Sequence, residues 1–121
     1  MNPFNHVDLR VRKFEEVQPF YRAFLPLLGF THEWSGKEFR GFSAEDDAPA
    51  CAFFGFTEEP NHQPNGNRIA FWANSRELVD RVGTAIRTAG ASNIEGPGVC
   101  LEYSGDYFGH NCFPPQNDGL V

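Results

Sequence analysis

The feature that most constrains this chain is a grammar it uses twice. Residues His6 to Phe30 read as a strand, an amphipathic helix and a glycine stop, and Arg68 to Gly90 repeat that order. In the first copy, Val7, Leu9 and Val11 alternate with His6, Asp8, Arg10 and Arg12, the period of a half-buried strand. From Phe14 the period changes: Phe14, Val17, Tyr21, Phe24 and Leu28 follow helical spacing, Pro19 fits a first turn, and Pro26 disturbs the helix before Gly29 ends it. In the second copy, Ile69, Phe71 and Ala73 alternate with Arg68, Ala70 and Trp72 as a strand. Asn74 then serves as N-cap with Glu77 three residues on, and Leu78, Val79, Val82, Ala85, Ile86 and Ala89 form the buried stripe up to Gly90.

Strands follow each helix. Thr31 to Ser35 and Glu38 to Ser43 form a hairpin about Gly36, and Cys51 to Phe56 is a more deeply buried strand. Val99 to Tyr103 and Tyr107 to Phe113 are strands after a loop from Ala91 to Gly98. Thr57 to Asn67, rich in Pro and Asn with no large apolar residue, connects the halves. The expectation is one α+β domain over 1–121: a βαβββ module over about 1–57, a connection over 58–67, and a second module over about 68–121 with its last strand cut short.

Charge and composition narrow the function classes. The net charge is −6 and no run of Lys or Arg exceeds two residues, which argues against a nucleic-acid or anionic-membrane surface. The three cysteines, Cys51, Cys100 and Cys112, match no metal spacing and suit free thiols in a reducing compartment. With no run of apolar residues long enough for a signal or a span, the expected location is the cytoplasm. Aromatic residues make up 15% of the chain, enough either to fill a core or to line a cavity.

The motifs in order resemble the vicinal oxygen chelate superfamily, also called the glyoxalase/bleomycin resistance protein/extradiol dioxygenase superfamily. The matching pieces are Asn5-His6-Val7-Asp8-Leu9-Arg10-Val11, Phe20-Tyr21-Arg22 running to Leu28-Gly29-Phe30, and Gly66-Asn67-Arg68-Ile69-Ala70-Phe71 leading to Ser75-Arg76-Glu77-Leu78-Val79-Asp80. Gly105-Asp106-Tyr107-Phe108 and Pro115-Gln116-Asn117-Asp118-Gly119 resemble the closing strand and its turn. The resemblance implies a glyoxalase-like fold: two βαβββ modules curled into a half-open, mixed or antiparallel barrel around a cavity, in a protein that often works as a homodimer. It implies either a divalent metal (Zn, Mn, Ni or Fe) chelated by the substrate's adjacent oxygens, or metal-free sequestration of a ligand as in bleomycin resistance.

Carried over by position, His6 matches the family's first metal ligand. The second-module ligand falls on Arg68, which only donates and cannot ligate. The acidic ligand of the first module falls near Phe53 or Phe54, and the last Glu falls at or beyond Val121, where the family's final strand is expected to continue. Three readings stay open: a lyase, isomerase or dioxygenase with its metal on His6; a metal-free binder of a small oxygen-rich organic molecule with Arg68 as an anion anchor; and a family member with a vestigial cavity. Ligand contacts are expected from Arg68, Asp8, Arg10, Phe54, Trp72 and His110, with structural readings beside them. Arg68 equally fits a salt bridge to Asp8 or Glu58, Asp8 and Arg10 fit a surface pair, Phe54 and Trp72 fit core packing, and His110 fits a buried or edge position.

Overall fold

The computed structural model of the chain describes residues 4–44, 52–63, 65, 67, 69–99 and 108–113. β1 (His6–Val11) leads into α1 (Phe14–Phe24), which is followed directly by a 3-10 turn at Leu25–Leu28. Three strands follow: β2 (His32–Ser35), β3 (Phe39–Ser43) and β4 (Phe53–Glu58). The second half carries α2 (Arg76–Thr88), β5 (Ser92–Val99) and β6 (Phe108–Phe113). The first half is thus βαβββ, as its residue pattern predicts. Among the described residues no helix is long and apolar enough to cross a membrane.

The first sheet runs β1-β4-β3-β2 and does not close on itself, so the fold is mixed α+β and half-open. β4 lies parallel to β1 with His6 opposite Phe53, and antiparallel to β3 with Gly55 opposite Gly41. Alternate residues of a strand face opposite sides. One side carries Val11, Phe42, Phe54 and Phe56, all buried beneath α1. The helix answers with Phe14, Val17, Phe20, Tyr21 and Phe24, the stripe that three- and four-residue spacing predicts. Tyr21 is the hub, its ring 5.1 Å from Phe54 and 5.0 Å from Phe56 between centroids. Burying each such ring contributes about 1.5–3 kcal/mol, so this aromatic layer is the main stabilising unit of the first half.

Helix ends show where local chemistry decides. Pro19 lies inside α1 and not in its first turn. It withholds one backbone donor, but its ring is on the exposed side and the buried stripe holds the helix regardless. Pro26 stands at the start of the 3-10 turn, and Gly29 closes it in the left-handed region at φ 99°. Lys13 makes no side-chain cap, and Glu58 of β4 accepts from the Phe14 amide at 3.0 Å instead, tying the helix start to the sheet. α2 is capped by Ser75, whose hydroxyl accepts from the Leu78 amide at 3.1 Å. The cap is therefore one residue later than Asn74, because Ser75 is the residue held extended (φ −154°, ψ 160°) while its carbonyl begins the helix.

Two strand assignments are corrected. Ile69–Ala73 is irregular and not a strand. Its anchor is a side chain: Phe71 packs 5.6 Å from Phe24 and 5.2 Å from Phe54, and no ladder with β1 is formed among the described residues. Residues 92–98, read from Gly-Pro-Gly as loop, belong to β5. Its pairing with β6 shifts register between Ser92 and Glu95 and again between Glu95 and Gly98. Such irregularities accommodate a proline and glycines that a regular central strand excludes. Of the strand expected at Val99–Tyr103, Val99 ends β5 and the rest lies outside the described residues. α2 packs on α1 and against β5 and β6, and Ile86 joins the aromatic core of the first half.

Candidate functional site

The parallel pairing of β1 and β4 sets both strand beginnings side by side, and a cavity of about 880 Å³ opens there. Asn5, His6 and Val7 enter it from β1, and Phe53 and Phe54 from β4. Leu28 and Phe30, delivered by the turn at Gly29, Ala52 and the irregular Ile69–Trp72 also line it. Phe4 and Trp72 line it while remaining 72% and 87% exposed, so they stand at its rim. Among the described residues, the polar side chains of the lining are Asn5 and His6.

His6 is held from two directions. Its ring stacks on Phe53 at 4.5 Å between centroids with only 5° between the planes. Its Nδ1 lies 2.9 Å from the Asn5 side-chain oxygen. An amide oxygen only accepts, so Nδ1 is the donor in this contact. Phe53 continues into a cluster of rings on the side of the sheet opposite α1: Trp34 at 5.7 Å and Phe39 at 6.0 Å, both edge to face.

The other candidates separate into groups. Asp8 accepts from Arg10 Nη1 at 3.0 Å and from Thr57 Oγ1 at 3.1 Å, a polar cluster farther along the same strand face and outside the cavity lining. Phe54 lines the cavity while also belonging to the core beneath α1, so its two sequence readings hold together. Trp72 lines the cavity from its exposed rim. His110 is on β6, in the two-stranded sheet and not in the sheet that carries His6. Arg68 lies outside the described residues. Asn5 and Phe53, the two residues that hold His6, are not among the ligand contacts expected from the sequence. The β1–β4 register is what sets Phe53 opposite His6.

The resemblance implies a divalent metal with its first ligand at His6. Among the described residues, no three His, Cys, Asp or Glu side chains come together to hold an ion. His6 has an amide and a phenyl ring as neighbours, and the nearby carboxylate of Asp8 is engaged by Arg10 and Thr57. The described residues therefore do not fit a metal centre at His6.

Comparison with solved structures bears out the resemblance read from the motifs. A glyoxalase/bleomycin resistance protein from Albidiferax ferrireducens superposes with a TM-score of 0.74 at 25% identity, covering 99% of this chain and 95% of that one. A glyoxalase/bleomycin resistance protein/dioxygenase family enzyme from Burkholderia phytofirmans gives 0.65 at 18% identity over 96% and 92%. The bleomycin resistance determinant encoded on transposon Tn5 gives 0.65 at 13% over 98% and 93%. No family model matches the sequence, and no curated protein matches it either. The chain has the glyoxalase/bleomycin resistance/dioxygenase fold.

Proposed function

We propose that this chain reversibly binds a small organic molecule in the cavity at the start of β1 and β4, without a metal at His6. The observation that carries this reading is the state of His6 itself. The residue at the family's first ligand position is tied to Asn5, stacked on Phe53 and set in a ring-lined cavity of about 880 Å³. That size suits a drug-sized ligand, and predominantly apolar walls with a few converging polar groups are the usual makeup of a binding pocket. A structure that shares the fold is the bleomycin resistance determinant encoded on transposon Tn5. Arg68 adjoins the cavity-lining Ile69 in the chain and is, in this reading, the candidate cationic anchor for a ligand oxygen.

The test is a thermal-shift screen of small organic compounds on the wild-type protein and on Ala70→Trp, which adds a bulky ring at a cavity-lining position. A compound that raises the Tm of the wild type but not of the filled variant supports the reading. Metal analysis runs beside it. Stoichiometric Zn²⁺, Mn²⁺, Ni²⁺ or Fe²⁺ lost in His6→Ala would overturn the metal-free site in favour of a metal-dependent lyase, isomerase or dioxygenase. A screen with no cavity-dependent hit would favour a vestigial cavity.

A further inference from the structure

We propose that Asn65, in the connection between the two halves, is a modification site: its side-chain amide is lost by intramolecular deamidation, leaving aspartate and isoaspartate. Two observations lead there, one of sequence and one of geometry. Asn65 is the one asparagine of the chain that is followed by glycine. Ring closure needs the next residue's backbone nitrogen to reach the asparagine side chain. Glycine presents that nitrogen with no Cβ beside it and with the widest choice of backbone angles. Every other asparagine precedes a residue that carries a side chain.

The geometry is a turn closed by the side chain itself. The Asn67 amide donates to Asn65 Oδ1 at 2.8 Å, and both residues are exposed. This contact curls the side chain back over the peptide that follows it. The same N–H stands where negative charge develops on Oδ1 when a nitrogen attacks Cγ, so it stabilises that charge. Gly66 lies outside the described residues and enters by its identity alone.

The steps balance with water as the only co-reactant. The Gly66 backbone nitrogen forms a bond to Asn65 Cγ, and the carbonyl electron pair moves to Oδ1. As the carbonyl re-forms, the Cγ–Nδ2 bond breaks, and Nδ2 leaves as ammonia with the proton that the Gly66 nitrogen gave up. Water then opens the cyclic imide at either carbonyl. One opening gives aspartate; the other gives isoaspartate, which lengthens the main chain. Both add negative charge to a chain already at −6, in the segment that leads to the cavity-lining Ile69.

Peptide mapping by mass spectrometry decides this, on the full chain kept in warm, mildly alkaline heavy-oxygen water. The peptide spanning Asn65 should gain the mass of an amide-to-acid exchange, with heavy oxygen incorporated and isoaspartate present beside aspartate. Asn67→Pro keeps the Asn65-Gly66 pair and removes the N–H. It should slow the reaction by about fivefold, the loss of one hydrogen bond to the developing oxyanion. Gly66→Ala should slow it further. The wild type unfolded in urea should lose the Asn65 amide no faster than the folded chain, a readout that needs no variant. An Asn65 that stays unmodified, or modification that appears first at another asparagine such as Asn74, would overturn the site. Equal rates in the wild type and Asn67→Pro, or faster loss in urea, would overturn the part played by the turn.

Discussion

Gly55 of β4 stands directly opposite Gly41 of β3, and rings lie across both. A Cβ on Gly41 would come within 2.5 Å of the Trp34 indole, and one on Gly55 within 2.7 Å of the Phe39 ring. Two facing glycines thus make a shallow seat in which the aromatic cluster rests against the sheet and continues, through Phe53, to His6 in the cavity.

Gly41→Ala is therefore expected to lift the Trp34 indole off the sheet. The gain from a less flexible unfolded chain offsets part of the overpacking, leaving a net loss of about 1 kcal/mol. The chain has two tryptophans, so emission from Trp34 can be isolated in a Trp72→Phe background. A red shift and easier quenching in Gly41→Ala are expected, and an unchanged spectrum would show that the seat does not hold the ring.

The helix caps give a position-specific prediction. Ser75→Ala removes the acceptor for the Leu78 amide and should cost about 1 kcal/mol in denaturant unfolding. Asn74→Ala should stay within about 0.5 kcal/mol of wild type. The reverse ranking would put the cap back at Asn74.

Glu33 of β2 links the sheet edge to α1. Its carboxylate takes a forked interaction from Arg22 (Nε to both oxygens at 2.9 and 3.1 Å, Nη2 at 2.9 Å) and accepts from Gln18 at 3.1 Å. The hydrogen bond from Arg22 is the main reason its pKa lies below the usual glutamate range, and burial works against it. A depressed folded-state pKa means that the contribution is present above the unfolded value of about 4.3 and is lost as pH falls through the lower, folded value. Glu33→Gln should thus cost less than about 1 kcal/mol at neutral pH, the site being half open to solvent screening. That difference should shrink to nothing in acid below the folded pKa. Parallel stability curves at all pH values would contradict the linkage.

How much of this was legible in the residues differs between its parts. The stripe of α1 and its stop at Gly29 follow from helical spacing and from a left-handed position that glycine adopts at little cost. The alternation of β1 is equally local. The irregular path of Ile69–Ala73 was not legible, since alternation predicts a strand and cannot say whether a neighbour supplies a ladder. β5 was missed for the opposite reason: Gly96, Pro97 and Gly98 carry breaker signals that an irregular two-stranded pairing tolerates.

By itself the sequence determined the elements of the first half and the fold they resemble, because each rests on residue type and local period. Only the tertiary structure decided what surrounds His6. The parallel register of β1 and β4 brings Phe53 under its ring from far along the chain, and the Asn5 side-chain oxygen lies 2.9 Å from its Nδ1. Contacts between residues distant in sequence depend on register, and register is set by how a whole sheet packs on its helix.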